Sequence, residues 1–101
     1  MASLTYIAAS VLHAIHLGRR YGFQIMASTE LPSGTVYPAL RKLEKAHLIR
    51  SQWEKAAVAR AEQRPTRKYY QVTTDGKAAL LEAGKRYRFP EIESVSKEAD
   101  R

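Results

Sequence analysis

Ser33-Gly34-Thr35-Val36-Tyr37-Pro38-Ala39-Leu40-Arg41-Lys42-Leu43-Glu44-Lys45 is the stretch that decides how this chain folds. Val36, Leu40 and Leu43 recur at the spacing of one helix face, and His47 falls in line with them. The opposite face holds Pro38, Arg41, Lys42 and Lys45, with Gly34 and Thr35 at its N-terminal end. Proline lacks an N–H and is least costly early in a helix, which places the helix start between Ser33 and Thr35. One side of this helix is apolar and the other is basic.

The periodicity on either side frames it. Leu4, Ile7, Ala8, Val11, Leu12 and Ile15 predict an amphipathic helix with Ser3 as its N-cap and Gly18-Arg19-Arg20 as its stop. A shorter helix is expected from Tyr21 to about Ser28, burying Phe23 or Ile25 with Met26, before Leu31-Pro32-Ser33-Gly34 breaks the chain. Downstream, Ile49, Ser51 and Trp53 alternate with Arg50, Gln52 and Glu54, the pattern of a strand. A second strand, Arg67 to Thr73, turns Tyr70 and Val72 to one side. Between the two lies a polar stretch from Lys55 to Thr66, too long for a tight hairpin and expected as a mobile or functional loop. Thr73-Thr74-Asp75 offers N-cap chemistry for a last helix over Asp75 to Arg88, lined by Ala79, Leu80, Ala83 and Tyr87 and closed by Pro90.

Helix, helix, helix, strand, wing, strand, helix is the winged helix-turn-helix order, so the expected class is mainly α with a two-stranded β-wing. The expected organisation is a winged helix-turn-helix domain over 1–74, a dimerisation helix over 75–89 and a charged tail over 90–101. One domain is all that 101 residues allow. Cysteine is absent, which excludes disulfides and thiolate metal sites. No apolar run has the length of a membrane helix and no leader with a cleavage site is evident, so a cytoplasmic location and no membrane partner are expected.

Charge narrows the function. The formal net charge is +7, and between Arg41 and Tyr70 nine basic residues face three acidic ones. The last eleven residues reverse this, with four acids and two bases. A localised basic region favours a polyanionic partner.

Several blocks resemble the PadR-like transcriptional regulators. Tyr21-Gly22-Phe23-Gln24-Ile25 resembles the segment that opens their second helix. Gly34-Thr35-Val36-Tyr37-Pro38-Ala39-Leu40-Arg41-Lys42-Leu43-Glu44 is similar to their recognition helix. Arg67-Lys68-Tyr69-Tyr70-Gln71-Val72-Thr73-Thr74-Asp75-Gly76 is similar to their return strand, and the three blocks keep the family order. His47 stands where that family has glycine, and the C-terminal region is that of the short subfamily with one extra helix.

The resemblance implies a homodimer that reads double-stranded DNA. Residues at the start of a recognition helix meet base edges, which selects Ser33, Thr35, Pro38 and Arg41. Tyr37 is placed for a phosphate, and Lys42 and Lys45 for the backbone. The wing supplies Arg60, Arg64, Arg67, Lys68 and Tyr69. The bland alternatives are a solvated basic face and a loose polar loop. Leu4, Ile7, Val11, Leu80, Ala83 and Tyr87 are expected at a two-fold interface, with core packing of the first helix as the competing account.

Other residues read as structural. His13 and His16 have helical spacing but no further ligand, and are expected as surface or interface histidines. Glu44 is expected to pair with Arg41 or Lys45, and Trp53 to anchor the core, with a place near the dimer interface as the alternative. No nucleophile–base pair, carboxylate pair or phosphate loop is present, so no enzyme and no cofactor are expected. No motif marks a small-molecule effector site. The rival reading is a winged helix that docks a protein, for which an apolar outward face would be the sign.

Overall fold

The computed structural model describes residues 4–89. Seven elements run in order: α1 (Tyr6–His16), α2 (Gly22–Thr29), α3 (Ser33–Lys45), β1 (Ile49–Trp53), α4 (Ala56–Ala61), β2 (Lys68–Val72) and α5 (Thr74–Gly84). This is the expected winged helix-turn-helix order with one addition, α4, in the stretch read as a loop.

Helix α1 is the central strut, packing on α2, α3, α5 and β2. Its N-cap is Thr5, whose hydroxyl accepts from the Ala8 N–H at 3.1 Å. Ser3, expected in that role, lies outside the described residues, as do Pro90 and the tail. Gly18 follows the helix at φ +100°, where the expected stop falls.

Val11, Leu12, Ala14 and Ile15 of α1 meet Ile25 of α2, Val36, Ala39, Leu40 and Leu43 of α3, Ile49 and Tyr70 of the sheet and Leu80 of α5 in one core. A fully buried leucine of this kind is worth about 2–5 kcal/mol against alanine. Ile25 rather than Phe23 anchors α2, because Phe23 stays half-exposed on the outer side.

The sheet is a single antiparallel pair in register Ile49↔Val72, Ser51↔Tyr70 and Trp53↔Lys68. Ile49 and Tyr70 turn inward, whereas Trp53 reaches the strand's far end and is 61% exposed. Trp53 is therefore no core anchor: the period puts it on the inner face, but by that point the sheet has run past the helices.

The corner between α3 and β1 is closed by hydrogen bonds. His47 adopts the left-handed conformation at φ 61°, a conformation that favours glycine. The Leu48 N–H returns to the Leu43 carbonyl at 3.0 Å, and the Thr73 hydroxyl donates to the His47 carbonyl at 2.8 Å. Thr73 also caps α5, accepting from the Gly76 N–H at 3.0 Å. Gly76 is buried against the Leu48 carbonyl, where a Cβ would collide with backbone.

Helix α5 ends at Gly84, short of the expected Arg88. Tyr87 therefore lies beyond the helix, and its hydroxyl donates to the Leu4 carbonyl at 3.1 Å. Phe89 folds back with Ala83 onto Ala9. His13 is buried in α1 with its ring 4.8 Å from that of Phe89, which corrects the surface reading for His13, while His16 is exposed.

Candidate nucleic-acid interface

Helix α3 begins at Ser33, with Pro32 as N-cap, and Pro38 lies inside the helix in its second turn, where its missing N–H leaves the Gly34 carbonyl without a ladder bond. Val36, Ala39, Leu40 and Leu43 are buried, and Ser33, Tyr37, Arg41, Lys42 and Lys45 are exposed, with Thr35 and Pro38 half-buried. Among the described residues, none of Arg41, Lys42 and Lys45 takes part in an ion pair. Glu44, expected to pair along the helix, instead accepts from the Ser51 hydroxyl at 2.5 Å. The acid is drawn toward β1, and among the described residues the cations of α3 are left without an ion-pair partner.

The wing is more ordered than the sequence suggested. Lys55 to Arg64 holds α4, with Ala59 buried beneath it. The turn beyond α4 is held by Glu54, whose side chain is only 1% exposed. Arg64 grips that carboxylate with both terminal nitrogens, at 2.6 and 2.7 Å, and its Nε bonds Glu62 at 2.7 Å. The Arg67 backbone N–H adds a further bond to Glu54 at 3.3 Å.

The Arg64 hydrogen bonds hold the Glu54 carboxyl down at about 2, against the opposing push of desolvation. The same pair raises Arg64 further above its ordinary value. Arg64 thus braces the wing through two carboxylates.

Arg60 is exposed on α4. Lys68 lies over the Trp53 ring at 5.7 Å. Tyr69 turns to the other side of the sheet, 4.9 Å from the Tyr21 ring. Hydrogen bonding with Tyr21, then desolvation and the nearby Glu54 charge, push its phenol up to about 12. Arg67 lies over both Tyr21 and Phe23, at 4.9 and 4.7 Å. Sequence reading missed this platform: it entered Tyr21 only as a helix opener and Phe23 as a core candidate. The one available signal was the pairing of two aromatics at i, i+2 with a basic strand.

The six residues expected at a dimer interface divide. Val11, Leu80 and Ala83 are buried within the chain itself. Leu4 and Tyr87 are half-buried and joined to each other, and Ile7 is exposed. Tyr6 and Leu81 add exposed apolar surface nearby in sequence.

An outward basic helix flanked by a braced wing defines a winged helix-turn-helix regulator. The model of the transcriptional regulator PadR-like family matches residues 11–82, and the chain belongs to that family. It is similar to a PadR family transcription regulator from Clostridium difficile, with TM-score 0.71 and 26% identity over 96% of this chain and 100% of that one. A Streptococcus mutans protein matches with TM-score 0.68 and 25% identity over 95% and 85% of the two chains. Bordetella bronchiseptica BpsR, whose DNA binding is regulated by 6-hydroxynicotinic acid, shares the fold with TM-score 0.66 at 20% identity over 95% and 64%. No curated protein sequence gives a significant match. Among the described residues no helix is long and apolar enough to cross a membrane.

Proposed function

We propose that this regulator is a cytoplasmic repressor that reads a palindromic operator as a homodimer. Its α3 enters the major groove, and the wing lies along the adjacent backbone. The observation that carries the reading is the exposed basic face of α3, which forms no ion pair among the described residues. Arg41, Lys42 and Lys45 project together from a helix whose other side is locked into the core. Neutralising phosphates with such cations releases counterions and drives binding, and Arg41 has the fork that reads guanine. A protein-docking role would call for apolar residues there, and the outward face is charged.

The dimer draws on the exposed Tyr6 and Ile7 of α1 and Leu81 of α5, with Leu4 and Tyr87 at the rim. Two-fold symmetry would set the recognition helices about one DNA turn apart, roughly 34–36 Å. A small-molecule effector belongs to the reading as a class, as BpsR has one; no residue is assigned to it.

The test is selection of genomic fragments, the chain's own promoter included, followed by footprinting. The reading expects a protected inverted repeat that Arg41→Ala loosens in sequence preference. It fails if no fragment is enriched, or if replacing Arg41, Lys42 and Lys45 together by alanine leaves binding intact.

A further inference from the structure

Between α2, α3 and the base of the wing lies a cleft of about 490 Å³, lined in part by Tyr21, Phe23, Tyr37, Arg41, Arg67 and Lys68. We propose that this cleft seats one DNA phosphate, gripped by the Arg67 guanidinium and the Tyr37 hydroxyl, with Tyr21 and Phe23 of α2 as positioning residues. The inference rests on the DNA-binding reading above and adds α2 to the interface.

Three observations support it. First, Arg67 is pre-oriented. Its guanidinium lies over two rings that are nearly parallel, 5.7 Å apart with 7° between their planes. An arginine resting on aromatic faces keeps its in-plane N–H fork directed outward, the geometry that suits a phosphate. Its backbone is fixed as well, through the N–H to Glu54.

Second, the cleft's charge fits an anion. Arg41, Arg67 and Lys68 line it against one carboxylate, Glu44, which already accepts from Ser51. Among the described residues Arg67 forms no ion pair, because Glu54 is taken by Arg64. The wing's acids brace the turn and leave this cation available.

Third, Tyr37 has been given room. Its hydroxyl and ring edge sit where a Cβ on Gly22 would stand, with Cζ at 2.8 Å and Cε1 at 3.1 Å from that point. Only glycine at this position lets the α3 tyrosine lie against the start of α2. Phe23, 48% exposed, has no place in the core to explain it, and the platform accounts for an aromatic ring on the outer surface.

A phosphate contact is independent of sequence, so a mixed-sequence duplex of about three helical turns is a sufficient probe. Affinity is measured against salt for the full chain and five variants, Arg41→Ala among them, each checked for an unchanged melting profile. Arg67→Ala is expected to lower the slope of log affinity on log salt by about 0.9, the value of one phosphate contact. Arg67→Lys keeps the slope but loses affinity, since the charge stays and the fork goes. Phe23→Leu keeps the slope and weakens binding about 2- to 5-fold, the loss of one cation–π contact. Tyr37→Phe does likewise through the lost hydroxyl.

If Arg67→Ala leaves the slope unchanged while Arg41→Ala lowers it, the chain binds DNA and the seat is wrong. If Phe23→Leu binds as the parent does, the positioning role of the platform is wrong. If the parent chain shows no salt-dependent binding, the DNA-binding reading fails and the seat falls with it.

Discussion

Replacing Gly76 by alanine tests how the corner beneath the wing is held. Gly76 lies in the first turn of α5, and a Cβ there would strike the Leu48 carbonyl oxygen, with Val72 Cγ1 at 2.8 Å and Leu48 C at 3.0 Å. The Leu48 oxygen is backbone and already accepts from the Thr73 N–H at 3.0 Å, so it has no freedom to turn aside. Forcing an extra carbon into a filled site costs about 1–3 kcal/mol. Alanine's helix preference over glycine returns at most about 1 kcal/mol. A net loss of about 1–2 kcal/mol corresponds to a melting temperature lower by roughly 5–15 °C in a domain of this size. The assay is thermal unfolding followed by far-ultraviolet circular dichroism. Gly84→Ala in the same helix is the control, because nothing lies within 4 Å of the Cβ it would add. A Gly76→Ala protein that melts at or above the parent would refute the reasoning.

Three further outcomes are expected. The nearest atoms Gly22→Ala meets belong to the movable, 39% exposed Tyr37 side chain. Stability should therefore change by less than about 1 kcal/mol in chemical unfolding, while DNA affinity falls about 2- to 10-fold as the hydroxyl is displaced. Acid titration should expose the Glu54 brace. Its pKa is lowered from 4.5 to about 2, so its contribution is complete above 4.5 and is lost as pH falls toward 2. Unfolding midpoints of Glu54→Gln should accordingly be less sensitive to pH across that window than those of the parent. Trp53→Ala should cost under about 1 kcal/mol, against about 2–5 for Leu12→Ala, in parallel urea titrations. Equal losses would return Trp53 to the core.

Helix α3 was legible because its period and its basic face specify the same helix. The strands were legible for a similar reason, since alternation at Ile49–Trp53 and at Tyr70–Val72 matches a half-buried pair. What escaped depended on partners distant in the chain. Arg64 looks like any other wing cation until Glu54, ten positions away, is seen to hold it from 2.6 Å. With Arg64 and Ala59 anchored, six alanine-rich residues that carry no side-chain cap become α4.

The ends of elements escaped for the same kind of reason. Tyr87 continues the apolar period of α5, yet the chain leaves the helix at Gly84 so that its hydroxyl can reach Leu4. Phe23 follows the pattern of a core residue and instead forms the outer platform for Arg67, which local sequence cannot show. The candidate residues divide along this line: Arg41, Lys42 and Lys45 stand on the exposed face where the helix wheel put them, while Arg64 and Arg67 of the wing take places set by long-range contacts.

The most direct test of the central claim is a titration of genomic fragments, own promoter included, at several salt concentrations. The account predicts a discrete fragment retained over bulk DNA, with log affinity falling by about 0.9 per phosphate contacted as log salt rises. Absence of binding, or weak binding indifferent to sequence, would contradict it and turn attention to a protein partner.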